Sequence, residues 1–200
     1  MQENQMITTI IAIASMSMSF AGSDVQCAVQ PDPINVKLGL YDYAGVRYGT
    51  CCAGCVGPFT KEPAKFIKAA ADKNRTIGVA LFDPMTGVRI DEKKAKGGYS
   101  DFKGTRFFFG TAESKTAFDA APAKFAISPP KEALFCPVMG HAVKDYSSAG
   151  AIADAEGIRF YLCCTDCLAA FKANPGQFAS KAAANVAPAK LINAPKEKAG

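Results

Sequence analysis

Aromatic and apolar residues recur along the chain in short bursts, each followed by a helical spacing and then a proline. From Gly45 the chain reads GVRYGTCCAGCVGPFTKEPAKF, from Gly104 GTRFFFGTAESKTAFDAAPAKF, and from Gly157 GIRFYLCCTDCLAAFKANPGQF. The three segments align without a gap. Each opens on glycine, with arginine two residues later and an aromatic beside it, and each closes on a Phe-Pro-Phe framework. The anchors are Phe59, Pro63 and Phe66; Phe118, Pro122 and Phe125; and Phe171, Pro175 and Phe178. A register kept three times marks an internal triplication. The aromatic and β-branched openings predict a strand leaving a glycine turn. Thr111 and Thr165 stand where helix N-caps belong, and Cys167 and Phe171, four apart, share a helical face. Proline is tolerated only in a helix's first turn, so Pro122 and Pro175 predict the end of one helix and the start of a shorter one. The expected class is α+β, with loop, strands, turn, helix and short helix in each unit.

A loop motif precedes the second and third glycines by the same interval: Asp83-Pro84-Met85-Thr86-Gly87 and Cys136-Pro137-Val138-Met139-Gly140. The matching place in the first unit holds Asp24-Val25-Gln26-Cys27-Ala28. The units are placed at 22–75, 80–128 and 132–184. Asp72 to Arg75 and Ser128 to Lys131 link them. Residues 185–200 are rich in Ala, Lys and Pro and predict a flexible tail. At the other end, Met6 to Ala21 is an apolar run closing on the small-x-small pattern Ser19-Phe20-Ala21. It predicts an export signal over 1–21, although residues 1–5 carry Glu3 and no basic residue. A periplasmic or secreted protein follows, with no stable membrane span once the signal is cleaved, since no apolar run reaches the ~18 residues of a spanning helix.

Composition narrows the chemistry. Of 200 residues 49% are hydrophobic and 20% charged, which excludes a disordered chain. The net charge of +5 is spread thinly, without the dense basic run that nucleic acid requires. One histidine excludes His-based metal clusters and leaves little room for Ser-His-Asp or Cys-His catalysis. There is no glycine-rich phosphate loop and no Gly-x-Ser-x-Gly, so no enzyme is expected. What stands out is eight cysteines.

They divide four and four: Cys27, Cys51, Cys52 and Cys55, then Cys136, Cys163, Cys164 and Cys167. In each set a distant loop cysteine faces a strand-to-helix turn carrying Cys-Cys-x-x-Cys. Four thiolates suit tetrahedral Zn(II); two or three suit Cu(I). Adjacent cysteines on extended backbone point to opposite faces, so one of each adjacent pair is expected at the site and three thiolates per site is the central expectation. Zinc-knuckle spacing favours Cys52 and Cys164 as that one. Met139 and His141, beside Cys136, are further candidate ligands for a soft ion. Two other readings stay open. An even number of cysteines in an exported protein suits a disulfide-stapled interaction protein of the cell envelope, and Cys-x-x-Cys at a helix start suits a thiol–disulfide oxidoreductase. The middle unit keeps the aromatic and proline skeleton with Gly110 and Ser114 in place of cysteine, so its fold is expected to need neither metal nor bridge. Arg47, Arg106 and Arg159 recur in all three units, which predicts a structural pairing with a carboxylate or with carbonyl groups.

The third unit, CPVMG followed by GIRFYLCCTDCLAAFKANPGQF, resembles a YHS domain of the broader TRASH group of small Cys-motif modules. The resemblance runs from Cys136 to about Ala182. It covers the second unit's scaffold from Asp83 to Ala126 and the first from Gly45 to Ala70. It implies treble-clef-like modules and a metal-binding role in heavy-metal trafficking, sensing or resistance, with a metal-transport or efflux protein as partner. Its register favours Cys51 and Cys163, rather than Cys52 and Cys164, as the ligand of each adjacent pair.

Overall fold

The computed structural model describes residues 24–193; the export signal expected over 1–21 lies outside the described residues. Two-residue turns build three hairpins: β1 (Leu40–Tyr43) with β2 (Val46–Gly49), β4 (Gly98–Phe102) with β5 (Thr105–Phe109), and β9 (Ala151–Ala155) with β10 (Ile158–Leu162). Their turn residues Ala44-Gly45, Lys103-Gly104 and Glu156-Gly157 all have positive φ. That is the twist of the primed turns that suit a right-handed ribbon, and the glycine supplies the second position without strain.

Each hairpin runs into a helix and then a second helix set at an angle to it. The pairs are α1 (Ala53–Lys61) with α2 (Pro63–Asp72), α3 (Ala112–Ala120) with α4 (Pro122–Phe125), and α5 (Thr165–Ala173) with α6 (Pro175–Lys181). Proline occupies the first position of every second helix, as its spacing predicts. Thr111 caps α3, its hydroxyl accepting from the Ser114 N–H at 3.2 Å. Thr165 does not cap α5. It is the first helical residue, and Cys164 holds the cap position, because Cys164 and not Thr165 is in register with Thr111.

The first phenylalanine of each framework is the keystone of its unit. Phe59, Phe118 and Phe171 are buried. Each packs on an aromatic from its own hairpin: Tyr48 at 5.3 Å, Phe109 at 5.1 Å and Phe160 at 5.1 Å between ring centroids. Full burial of such a ring stabilises by roughly 1.5–3 kcal/mol, with a further ~0.5–1.5 kcal/mol from the ring pairing.

The units are not beads on a string. Short strands β3 (Gly78–Ala80) and β6 (Lys131–Ala133) run parallel to β5 and β10 respectively. β3 also pairs antiparallel with β2, joining the first two hairpins in a six-stranded sheet of order β12-β1-β2-β3-β5-β4. The third hairpin lies in a four-stranded sheet of order β11-β6-β10-β9. Beside it, β7 (Phe135–Cys136) and β8 (His141–Ala142) form a two-residue ribbon.

The segment expected to be a loose tail links both sheets over its described part. β11 (Ala187–Pro188) pairs with β6, and β12 (Ile192–Asn193) pairs with β1, so the end of the chain straps the third unit to the first. Burial explains the strap. The Tyr146 hydroxyl lies 2.8 Å from the Lys190 carbonyl and in contact with the side chain of buried Glu132, its one proton shared between the two. The middle unit touches the third through the Val88–Ala151 bridge and the Phe82–Tyr161 ring contact at 5.9 Å.

Candidate metal centre

The strand-to-helix turn delivers two sulfurs in each outer unit. Chain leaving β2 places Cys51 in the turn, Cys52 at the cap of α1 and Cys55 one helical turn on, buried. Chain leaving β10 repeats this with Cys163, Cys164 and Cys167. The third sulfur comes from across the unit, from Cys27 in the loop before β1 and from Cys136 at the end of β7. The Sγ atoms of Cys27, Cys51 and Cys55 lie within 4.8 Å of one another, and so do those of Cys136, Cys163 and Cys167. Individual separations are 3.7 Å for Cys51–Cys55, 3.6 Å for Cys136–Cys163 and 3.5 Å for Cys163–Cys167. All eight thiols are free. Gly150 lets the start of the third hairpin lie against the cysteine turn, since a Cβ there would stand 2.8 Å from Cys164 Cα.

The adjacent cysteines separate as extended backbone requires. Cys51 and Cys163 join the groups of three. Cys52 and Cys164 stand outside them, each touching one member: 3.4 Å from Cys52 to Cys55 and 3.3 Å from Cys164 to Cys167. Met139 is 61% exposed, and exposed His141 belongs to neither group.

Backbone N–H groups surround the loop cysteines. The Val29 N–H donates to Cys27 Sγ at 3.4 Å. Burial acts to raise the Cys27 thiol, but the N–H groups of Gln30, Val29 and Cys51 outweigh it and hold the thiol below its ordinary value. Cys136 is lowered in the same way: burial opposes, and the N–H groups of Cys163 and Met139 prevail. The opposite holds at Cys55 and Cys167. Burial pushes both well up, reinforced by the thiols of Cys52 and Cys51 or of Cys164 and Cys163. Each site thus combines one thiol lowered by backbone N–H groups with neighbours raised by burial.

The middle unit shows what that cradle is for. Asp83 occupies the loop position, and its carboxylate accepts from the N–H groups of Met85 at 2.8 Å, Thr86 at 3.3 Å and Gly110 at 3.0 Å. These donors stand two and three residues after the acceptor and at the strand-to-helix turn. Val29, Gln30 and Cys51 stand in the same relation to Cys27. The same nest of amides holds a carboxylate in one unit and a sulfur in the other two.

Two residue sets escaped the reading of the sequence. In the first unit the gapless match puts Asp24 at the loop position, whereas the acceptor in the cradle is Cys27, three residues later. Asp24 instead reaches the middle unit, where its carboxylate takes two hydrogen bonds from Arg106 at 2.8 and 2.7 Å. The second set is the arginine partners. Arg47 pairs with Asp42, Arg106 with Asp101 and Arg159 with Asp154, each directly across its hairpin. The structural pairing expected of these arginines is therefore observed, and the signal for it was an aspartate three residues before each turn glycine. Asp42 also accepts from Ser147 at 2.8 Å, tying the first unit to the third.

An open groove of about 690 Å³, lined by residues of all three units, includes none of the cysteines. No protein-family model matches this chain, and no curated protein or solved structure matches it either.

Proposed function

We propose that this is an exported protein of three YHS-like modules that binds soft metal ions, Cu(I) or Zn(II), at its first and third units. The observation that carries the reading is the amide cradle. In the middle unit it holds a carboxylate, so it suits an anion, and at Cys27 and Cys136 the corresponding amides surround a sulfur and lower its thiol. A buried cysteine sulfur with two more sulfurs inside 4.8 Å is a donor set for a thiophilic cation. Three sulfurs match the low coordination of Cu(I), while Zn(II) would add a fourth ligand. A disulfide staple accounts for this less well, because it consumes two sulfurs, needs no anion cradle and leaves the remaining thiols without a role.

The middle unit then serves as scaffold, pairing with the first through β3 and with the third through Val88. Two equal sites in an exported protein fit trafficking or resistance, with a metal-transport protein as donor or acceptor.

Reduced protein titrated with Cu(I) should saturate near two equivalents, and binding should weaken toward acid as protons compete for sulfur. Cys136→Ser should remove one equivalent and Cys55→Ser the other. Mass spectrometry of protein from its native compartment decides against the reading if all eight cysteines are bridged and no metal is taken up after gentle reduction. The disulfide-stapled interaction protein then replaces it.

A further inference from the structure

The metal reading uses six of the eight cysteines and leaves Cys52 and Cys164 unexplained. Both occupy helix N-cap positions, and neither makes a side-chain capping hydrogen bond. Cysteine is a poor choice there on structural grounds. The middle unit demonstrates the better one, with Thr111 accepting from the Ser114 N–H. Within one chain, then, the capping residue is given up for sulfur in the two units that carry a three-sulfur group and kept in the unit that does not. Cys52 is exposed and Cys164 half-buried, while their contacts Cys55 and Cys167 are buried. In each outer unit a sulfur at the helix cap thus touches the buried member of the inner group from outside, at 3.4 Å and 3.3 Å, with half-buried Cys51 or Cys163 beside it.

From this doubled geometry we infer that Cys52 and Cys164 are the transfer thiols of the two sites, receiving a soft metal ion at the surface and passing it inward. The inference rests on the metal reading and adds the route by which the ion enters. The donor is a Cu(I) complex of two small-molecule thiolates. Cu(I) bonds to Cys52 as the first small thiolate leaves, taking up the proton that Cys52 gives up. The ion next bonds to Cys55, and the second small thiolate leaves with the Cys55 proton. Cys27, releasing any proton it holds to solvent, and Cys51 then close around the ion. The Cys51 proton returns to Cys52 as the Cu–Cys52 bond breaks. Two small thiols depart with two protons, the ion stays Cu(I) throughout, and no oxidant takes part. The third unit repeats the sequence with Cys164, Cys167, Cys136 and Cys163.

The test is the full chain carrying Cys52→Thr and Cys164→Thr together. Threonine is the residue the middle unit already uses at this position, and circular dichroism before metal addition verifies the fold. Cu(I) held by the coloured chelator bicinchoninate is the probe, and stopped-flow absorbance follows its loss. The variant should reach the same endpoint as the unsubstituted chain, near two equivalents, but roughly tenfold more slowly once the neighbouring receiving thiol is gone. An unchanged rate with unchanged stoichiometry overturns the transfer role. A lower endpoint also overturns it, because the two residues are then resident ligands. If the unsubstituted chain takes no Cu(I) from the chelator at any excess, the metal reading itself falls, and the transfer route with it.

Discussion

Asp83→Ala is the perturbation that bears most directly on the amide cradle. Asp83 is 2% exposed, and its two carboxylate oxygens serve three backbone donors. Alanine removes every acceptor at once and leaves the N–H groups of Met85 and Gly110 half-buried without a partner. Thr86 lies at the surface, where water replaces its long 3.3 Å bond at little cost. Hydrogen bonds to a charged group are worth about 1.5–3 kcal/mol each, so two strong ones give an expected loss of about 3 kcal/mol or more. Asp83→Asn should fall between. Its amide oxygen keeps the Met85 and Thr86 bonds, while its NH2 would face the Gly110 N–H, donor against donor. Asp83→Cys should lie nearer the native protein than alanine does, since a sulfur fills the corresponding amide positions at Cys27 and Cys136. Urea unfolding of reduced, metal-free protein, compared at constant m value, gives the differences. A loss below about 1 kcal/mol for Asp83→Ala would refute the cradle as an anion site, since that is less than one ordinary charged hydrogen bond.

Two further outcomes follow from the same geometry. Combining Asp83→Cys, Gly110→Cys and Ser114→Cys should raise metal stoichiometry from two sites to three, read by elemental analysis after desalting; a Cβ at Gly110 would stand 3.7 Å from the Asp83 carboxylate, so there is room. Burial raises the Glu132 carboxyl above its ordinary 4.5, against the opposing effect of the Tyr146 and Tyr161 hydroxyls. Its contribution to stability is therefore complete below about pH 4.5 and is lost as pH rises through the raised value. Glu132→Gln should gain on the native protein as pH rises above that point, and a stability difference independent of pH would count against the assignment.

What could be read from the sequence was what chemistry repeats locally. The Gly-x-Arg-aromatic openings gave hairpin strands, and Pro63, Pro122 and Pro175 gave the helix breaks, because a missing N–H acts on the residue that carries it. That three sulfurs meet in each outer unit followed from loop and turn positions, but not which of each adjacent pair joins: knuckle spacing favours Cys52 and Cys164, and the fold gathers Cys51 and Cys163. What escaped was set by pairing at a distance. β3, β6, β11 and β12 are two or three residues long, too short for any period, and exist only because neighbouring strands offer them unpaired amides. The strap over residues 187–193 looked like loose chain because its Ala, Lys and Pro composition says nothing of the buried Tyr146 hydroxyl that holds Lys190. Threonine suits a cap, which points to Thr165, whereas the register of the repeat gives the position to Cys164.

The middle unit separates stability from chemistry within one chain. Its core is a nest of phenylalanines in which Phe102, Phe107 and Phe109 all pack on Phe118, at 6.4, 5.2 and 5.1 Å. Its buried Arg106 is clamped between Asp101 and Asp24 and lies 3.9 Å from the Tyr99 ring centroid. The change from sulfur is coordinated over four positions. Asp83 fills the cradle, Gly110 leaves the turn open, Thr111 caps the helix and Ser114 stands where Cys55 and Cys167 are buried. Each replacement is one that a fold relieved of its sulfur chemistry would favour, supplying a charge for the amides or a hydroxyl for the cap. The outer units keep the less favourable cap and gather three sulfurs behind it. Giving up the cap hydrogen bond costs stability, and a thiophilic ion binding the folded state alone would offset it.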